Sequence, residues 1–433
     1  MKKKQLSTLF LSLCLFSACQ APQQTEKAAE AQAKQGVLPF NPPAEKPDFA
    51  LSAAMNRYYD QFDGKQPQKN ELFSQFKYSE LEGFDYNDFD GTITRRDPSR
   101  ILLHNGKYYM WYTYRNTKTP PRGAQGCSET IPSADWDLAE IWYATSTDGF
   151  KWEEQGVAVS RPPKPQLGHR AVTTTELLEW KGKFYLYFQA FNVASGTRGD
   201  DCPVSVAVAD SPDGPWKHSG KIVVPNGAKG EWDQYSIHDP HPLIHDGKIY
   251  LYYKSDFGDK PNLIRMQGLA IADDPLGPFV KHPLNPIINS GHETGIFPFK
   301  KGVAALVYKD GPEHNTIQYA EDWVNFEVVA ISELMPYAAS FFLPDASLDN
   351  GDGRGVTWGM AHFINYNKKE KGRMCSKLVR FDCDLSLDVH DPVMKEPRVN
   401  YSPEFYYKQG LNANQKARIA AENKKLTGAN PSK

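Results

Sequence analysis

The sequence predicts an all-β fold built from repeats, and three observations support this prediction. Gly-Lys-aromatic strands recur as GKYYMWYTY, GKFYLYFQAF and GKIYLYYKS. Each is followed by another strand-like run and a turn rich in Asp, Pro and Gly, which is typical of β-hairpins. Two further units, GVAALVYKDG and GRGVTWGMAHF, raise the number of repeats to five. One phrase repeated at long period favours a five-bladed β-propeller over a β-sandwich.

Helices are predicted on both sides of the repeats, which occupy residues 79–400. ALSAAMNRYYDQF and NELFSQF, within residues 49–78, predict a helical hairpin with Ser52 and Asn70 as N-caps. NQKARIAAENKKL, in the tail of residues 401–433, predicts a charged C-terminal helix. That helix either packs on its own propeller or clamps a neighbouring subunit.

The first 19 residues, MKKKQLSTLFLSLCLFSAC, combine a lysine-rich start, a short apolar stretch and small residues before Cys19. This pattern predicts a secretory signal that is too short to span a membrane. Because it ends on a cysteine, it resembles a bacterial lipoprotein signal with Cys19 as the lipidated residue. Residues 20–48, rich in Gln, Ala, Lys and Pro, predict a flexible tether. We therefore expect an exported protein, periplasmic or anchored to the outer membrane by its lipid alone.

Charge and cysteine content argue against several classes of function. The formal net charge is −2 over 433 residues and no basic block occurs, which argues against nucleic acid as a partner. No later run reaches about 18 consecutive apolar residues, the length of a membrane-spanning helix. Cys127, Cys202, Cys375 and Cys383 show no zinc-site spacing. Catalysis is therefore expected to require no cofactor.

Three acidic residues stand at equivalent places in three repeats. Asp97, Asp239 and Glu293 precede the strand-starting glycine of their repeat by nine, eight and nine residues. In a propeller such positions belong to the innermost strands, whose ends open on a shared pocket. Glycoside hydrolysis needs one carboxyl group to donate a proton and another to activate water, and a third acid raises the pKa of the donor. A single Asp-Pro simply starts a strand in many proteins, but three acids in register favour a catalytic site.

Residues of the second repeat are candidates for sugar binding. The positions nine and eight residues before Gly182 are Thr173 and Thr174, with Glu176 just beyond, and Gln189 ends the strand that follows. These side chains either hydrogen-bond sugar hydroxyls or have ordinary structural roles. In the structural alternative the threonines reflect β-propensity and Glu176 belongs to a solvated face.

Three further residues flank the acidic positions, and each has two interpretations. Trp136 lies in a long insertion after the first repeat, where it either stacks on a sugar ring or packs in the core. His238 either orients the adjacent Asp239 or simply packs. Arg96 either turns inward, where it lowers the pKa of Asp97, or faces solvent.

The three acidic segments resemble a known family. RRDPSRILLHNGKYYMWYT, HDPHPLIHDGKIYLYYK and GHETGIFPFKKG, in this order, resemble glycoside hydrolase family 117 over nearly the whole exported chain. The resemblance implies a five-bladed propeller that releases 3,6-anhydro-L-galactose from the non-reducing end of α-1,3-linked neoagarooligosaccharides with inversion. It implies Asp97 as general base and Asp239 as pKa modulator. It also implies a homodimer formed through the N-terminal helices, and it allows a structural divalent cation near the site.

The proton donor is one of two neighbouring residues. Glu293 stands where the related family 43 propellers keep their acid, whereas the resemblance to family 117 favours His292. A histidine donates near neutral pH if a carboxylate keeps it protonated, and a glutamate needs a raised pKa. Gly291 and Gly295 allow the backbone bend that would bring both residues to one sugar. We expect His292 as the donor with Glu293 as its partner.

Three functions remain open from the sequence. The first is the neoagarooligosaccharide hydrolase, and the second is an α-L-arabinofuranosidase or β-xylosidase resembling family 43. The third is a surface carbohydrate-binding lipoprotein without turnover. The HETG stretch with His292 favours the first. Three acids kept close together argue against the third, because a binding site gains nothing from their mutual repulsion.

Overall fold

The computed structural model describes residues 36–40, 42–60, 71–197, 201–256, 265–344, 349, 352–366 and 374–397. The signal sequence with Cys19, the tether up to residue 35, Asn70 and the helix expected near residues 414–426 lie outside these ranges, so those expectations stay predictions. In the described ranges, no helix is long and apolar enough to cross a membrane.

Antiparallel strands dominate the described chain, which confirms the all-β prediction. It begins with helix α1 (Ala53–Tyr59), strand β1 (Lys77–Glu80) and a short 3₁₀ turn (Asn87–Phe89). The other elements, in chain order, are β2 (Ile93–Arg96), β3 (Leu102–His104), β4 (Lys107–Asn116), β5 (Glu140–Ser146), β6 (Glu153–Val159), β7 (Ala171–Trp180), β8 (Lys183–Phe191), β9 (Val204–Ala209), β10 (Lys217–Val224), β11 (Ile237–His245), β12 (Lys248–Ser255), β13 (Gln267–Ala272), β14 (Val280–Lys281), β15 (Glu293–Lys300), β16 (Gly302–Tyr308), β17 (Thr316–Ala320), β18 (Glu327–Ile331), β19 (Ser340–Phe341), β20 (Gly353–Tyr366), β21 (Met374–Ser386) and α2 (Pro392–Lys395).

The strands pair in sequence order within successive groups. One sheet has the order β2-β4-β5-β6 with β3 on β4, and two others contain β7 to β10 and β11 to β14. The remaining eight strands form one sheet, in which β15 to β18 make one group and β1 and β19 to β21 make another. These two groups meet only where Phe299 pairs with Arg354 and Lys300 pairs with Gly353. The five groups match the five repeats, and their closure into a ring of five blades stays a prediction.

The recurring glycines begin the second strand of each hairpin for a local reason. Gly106, Gly182 and Gly247 have φ of 78°, 76° and 69°, and the residue before each also has a positive φ. Two consecutive residues with positive φ make the tight turn whose twist matches antiparallel strands, and glycine adopts it without steric cost. The repeated Gly therefore sets the register of each hairpin.

The helical hairpin predicted for residues 49–78 is only half present. Ser52 caps α1, because its Oγ accepts a hydrogen bond from the Met55 N–H at 3.2 Å. Residues 71–76 form a turn and extended chain instead of a second helix. Here Leu72 and Phe73 are both buried in the core, and Lys395 Nζ donates to the carbonyls of Glu71 and Phe73. Tertiary contacts thus satisfy the backbone and override the helical pattern.

The segment predicted as a tether is packed on the domain near its end. Leu38 is 1 % exposed, and its carbonyl accepts a hydrogen bond from the Trp232 N–H at 3.0 Å. The Phe40 N–H donates to the Gly230 carbonyl at 2.7 Å. The prediction of a free tether up to residue 48 is therefore corrected for these residues, since burial of an apolar side chain fixes them.

A buried ion pair attaches α1 to the strands. Arg57 Nε lies 2.7 Å from Glu313 Oε1, and the Glu313 side chain is 4 % exposed. Because loss of the arginine leaves a buried carboxylate without its charge partner, Arg57→Met should lower the free energy of unfolding by about 3–5 kcal/mol. Lys46 pairs with Asp60 at 2.6 Å on the surface, so Lys46→Met is the matched control and should cost far less. Urea denaturation of both variants checks this, and equal losses would contradict it.

Candidate active site

Two of the acidic positions, Asp97 and Asp239, share a backbone irregularity with Thr174 in the first three strand groups. Asp97, Thr174 and Asp239 have φ of 47°, 46° and 48°, and the strand register is interrupted at Thr174 and at Asp239. A bulge of this kind re-aims a side chain, and positive φ outside glycine is strained enough to mark functional positions. Asp97, Thr174 and Asp239 are therefore structurally equivalent, whereas Glu293, the third acid of the predicted register, pairs regularly with Tyr308 and has no positive φ.

A cavity of about 240 Å³ is lined by nearly all the residues proposed from the sequence. Nine of the ten line it: Asp97, Asp239, Glu293, His292, Arg96, Trp136, Thr174, Gln189 and His238. Since they come from four strand groups, the repeat register has brought distant segments to one place. The site candidates thus share one cavity that is large enough for a sugar.

Glu176 is the exception. It is 5 % exposed, and its Oε1 accepts hydrogen bonds at 2.7 Å from the N–H groups of Arg100 and Leu177. It lines a smaller neighbouring cavity of about 20 Å³, which Asp97, Asp239 and Glu293 also line. The solvated position considered for Glu176 is therefore wrong, and its contact with a sugar stays a prediction. It is a buried carboxylate that organises the chain around Arg100.

Asp97 is buried and held as a carboxylate. Its Oδ2 lies 2.8 Å from Arg96 Nε and accepts a hydrogen bond from Thr174 Oγ1 at 3.0 Å. Burial alone would raise the pKa of Asp97, but the Arg96 charge and these hydrogen bonds outweigh it and lower the pKa. Asp97 is thus ionised across the neutral range, as a base must be. The inward-facing alternative for Arg96 is confirmed.

Asp239 is paired with a buried lysine that the sequence did not identify. Lys254 Nζ lies 2.5 Å from Asp239 Oδ2, and the Lys254 side chain is 4 % exposed. Burial would lower the pKa of Lys254, but Asp239 and Glu293 raise it above its usual value. The backbone N–H of Asp239 donates to Gln189 Oε1 at 3.2 Å. Asp239 is therefore held at both its backbone and its carboxylate.

Glu293 and His292 form a pair in which the proton favours the glutamate. Burial, with Asp239 and Asp97 nearby, raises the pKa of Glu293 to about 7 against the opposing Lys254 charge. Burial and the cations Lys254, Arg265 and Lys309 lower the pKa of His292 well below its usual value. His292 Nε2 lies 3.2 Å from Glu293 Oε1. The expectation that Glu293 keeps His292 protonated is therefore not supported, since three cations outweigh one carboxyl group that is itself largely neutral.

The aromatic and histidine candidates have mixed roles. Trp136 lines the cavity and packs against Ala171, Phe191 and Cys202, and the Arg96 guanidinium lies 4.9 Å from its ring centre. His238 Nδ1 lies 3.7 Å from Asp256 Oδ2. Trp136 thus packs in the structure while also lining the cavity, and its stacking on a sugar ring stays a prediction.

Several cavity residues escaped the sequence interpretation. Lys254 and Lys309 are each the seventh residue after the strand-starting glycine of their repeat, the position that Gln189 occupies in its own. This count was available from the sequence and would have found them. Tyr337 and Arg265 also line the cavity, but they lie outside the named strands and no spacing marks them. Tyr337 hydrogen-bonds Glu293, and burial raises the pKa of Tyr337.

The described side chains contain no group of three or more His, Cys, Asp or Glu placed to hold a metal ion. The polar residues of the cavity are instead engaged in ion pairs and hydrogen bonds with one another. The arrangement as it stands suits proton transfer between carboxyl groups and a bound sugar.

Comparisons with known proteins agree with this chemistry. Zg3597, a family 117 glycoside hydrolase produced by the marine bacterium Zobellia galactanivorans, is 59 % identical, with 79 % of this chain and 100 % of that chain covered and a TM-score of 0.73. The model of glycosyl hydrolases family 43 matches residues 130–270. A family 43 β-xylosidase/α-arabinofuranosidase from a compost microbial metagenome is 18 % identical over 70 % of this chain and 94 % of that chain, with a TM-score of 0.45. No curated protein matches the chain.

Proposed function

Because the chain belongs to glycoside hydrolase family 117, we propose that it releases 3,6-anhydro-L-galactose from the non-reducing end of neoagarooligosaccharides. The proposed reaction is an inverting hydrolysis of the terminal α-1,3 linkage. Family membership supports the glycosidase activity itself. The sugar, the linkage and the stereochemistry are the parts that the experiments below must decide.

One observation carries the proposal: two carboxyl groups in the same cavity have pKa values displaced in opposite directions. The pKa of Asp97 is lowered, and the pKa of Glu293 is raised to about 7. Near pH 6, one group is then a base and the other still holds a proton. Such a pair is what acid and base catalysis of glycoside hydrolysis requires.

The residues divide the reaction between them. Asp97 accepts a proton from water, and the water oxygen bonds to the anomeric carbon while the glycosidic C–O bond breaks. Glu293 donates its proton to the leaving oxygen, so charge and protons balance. Asp239 raises the pKa of Glu293 through its negative charge. Its own pairing with Lys254 limits that effect.

His292 has a supporting role in this proposal. Its Nε2 is near Glu293, whereas its Nδ1 has no hydrogen-bond partner among the described residues. Nδ1 itself is buried, but the side chain as a whole is 20 % exposed in the cavity, and we include its exposed edge among the sugar contacts. Thr174, Gln189, His238, Arg96 and Trp136 are the further sugar contacts that we include.

A substrate comparison tests the function. Purified protein should release 3,6-anhydro-L-galactose from neoagarobiose and should leave aryl α-L-arabinofuranosides intact. Proton NMR of the first product formed should show the anomer opposite to that of the substrate. Cleavage of the arabinofuranoside alone would favour the family 43-like alternative, to which the match at residues 130–270 lends support. Binding of neoagarobiose without cleavage would instead favour a carbohydrate-binding lipoprotein.

The remaining expectations extend this proposal. The five strand groups support a closed five-bladed propeller, and the first 19 residues support export with a lipid on Cys19. Recovery of the protein in the soluble periplasmic fraction alone would argue against the lipid anchor. A homodimer and a structural divalent cation are supported only by the family, so sedimentation velocity with and without chelator tests both.

A further inference from the structure

The seventh residue after the strand-starting glycine recurs as a polar side chain in every strand group. These residues are Thr113, Gln189, Lys254 and Lys309, counted from the glycines at 106, 182, 247 and 302, and His362, counted in the last group from Gly355, the third residue of β20. Each therefore lies at the same height of the second long strand of its group, or of β20 in the last one. The ammonium groups of Lys254 and Lys309 can only donate hydrogen bonds, whereas the side chains of Thr113, Gln189 and His362 can accept them.

These three side chains accept hydrogen bonds from the backbone N–H groups of Thr174, Asp239 and Asp97, the three residues with strained positive φ. Thr113 Oγ1 accepts from the Thr174 N–H at 2.7 Å, and Gln189 Oε1 accepts from the Asp239 N–H at 3.2 Å. His362 Nδ1 accepts from the Asp97 N–H at 3.2 Å. In the first two cases the acceptor belongs to the preceding strand group, and His362 repeats the relation between the last group and the first.

We propose that His362 is the positioning residue of Asp97, which it holds in its strained backbone conformation by accepting the Asp97 N–H at Nδ1. The inference rests on the proposed role of Asp97 as general base. A backbone with φ of 47° is unfavourable for an aspartate unless its surroundings hold it. The bulge has lost its regular strand partner, so the N–H must find another acceptor.

Neutral histidine suits this position better than a charged residue. His362 is 0 % exposed, and burial with the nearby Arg96 charge lowers its pKa to about 3. Its ring lies 4.8 Å from the Tyr337 ring, and its Nδ1 lies 3.5 Å from Asp97 Oδ1. A cationic ring could not accept the N–H, and a carboxylate there would repel Asp97. The neutral form with its proton on Nε2 does neither.

Two amide substitutions separate the hydrogen bond from packing. In His362→Asn the Oδ1 falls close to the place of Nδ1, whereas in His362→Gln the Oε1 falls near that of Nε2. We expect His362→Gln to lower kcat by about 100-fold with KM changed by less than about threefold, as a misplaced base does. His362→Asn should recover at least about tenfold of that loss. Equal activity of the two variants, or a kcat of His362→Gln within about threefold of the unsubstituted protein, would overturn the proposal.

A measurement on the unsubstituted protein completes the test and does not depend on folding of a variant or on turnover. Nitrogen NMR of histidine-labelled protein should show the His362 resonances, assigned by their loss in either variant or by sequential connectivity, with the proton on Nε2. A proton on Nδ1 would overturn the proposal. If neoagarobiose and the arabinofuranosides are all left intact, the proposed function fails. The position of the proton on the His362 ring still shows whether Nδ1 accepts the Asp97 N–H.

Discussion

Asp97→Asn is expected to lower turnover of neoagarobiose by about 10²–10⁴-fold, the usual contribution of a general base. The amide has the same shape as the carboxylate but cannot accept a proton from water. The Asp97 carboxyl group is buried and is already ionised in the free protein, because Arg96 and Thr174 contact its Oδ2 directly. Steady-state kinetics at the pH optimum measures the loss. KM should change little, since the water and not the sugar loses its partner.

A matched variant distinguishes loss of the catalytic base from loss of a carboxylate that pairs with Arg96. Asp135 also approaches Arg96, at 3.4 Å, and is 0 % exposed, but it does not line the cavity. Asp135→Asn should therefore lower the thermal unfolding midpoint at least as much as Asp97→Asn while retaining more turnover. If Asp97→Asn keeps turnover within about tenfold of the unsubstituted protein, Asp97 is not the base.

Glu293→Gln is expected to remove the alkaline limb of the pH–activity profile together with most of the activity. The pKa of Glu293 is raised to about 7, so the proton that it donates is present below that pH and is lost above it. The lowered pKa of Asp97 keeps the base ionised down to acidic pH. Activity should thus plateau in mildly acidic solution and fall as pH rises through about 7. The pH dependence of kcat/KM, which reports the free enzyme, measures both limbs.

His292→Gln is the control for this prediction, because His292 is the alternative donor. It should weaken turnover but keep the alkaline limb, whereas a substrate with an activated leaving group should rescue Glu293→Gln and not His292→Gln. The opposite pattern would make His292 the donor. It would mean that substrate binding reverses the order of the two pKa values found in the free protein.

The same raised pKa has a consequence for stability. The unfolded chain releases the Glu293 proton near its usual pKa of 4.5, whereas the folded protein keeps it until about 7. Folding is therefore favoured most by this group at low pH, and its contribution is lost as pH rises through about 7. Glu293→Gln should remove that decline, which urea denaturation at a series of pH values would show.

Local sequence patterns predicted the hairpins and the equivalence of Asp97 and Asp239 correctly, but not that of Glu293. A Gly that accepts positive φ, followed by a run of aromatic and apolar residues, encodes a turn and a strand pair within one short stretch. Since each repeat uses the same turn, a spacing of eight or nine residues before it places Asp97, Thr174 and Asp239 at the same irregularity. These features depend on neighbours in the chain, so they could be predicted from sequence. The same count from the glycine would also have identified Lys254 and His362.

Tertiary structure alone decided what each side chain does. Glu176 became a structural carboxylate because Arg100, from another strand group, lies against it. The helix expected from NELFSQF is absent from residues 71–76, because Leu72 and Phe73 are both buried in the core from an extended chain. The proton favours Glu293 over His292 because burial disfavours the charged form of both side chains, and because Lys254, Arg265 and Lys309 converge on His292 from distant segments. Burial and charge act over a few ångströms in space, and no spacing along the chain encodes which groups will meet there.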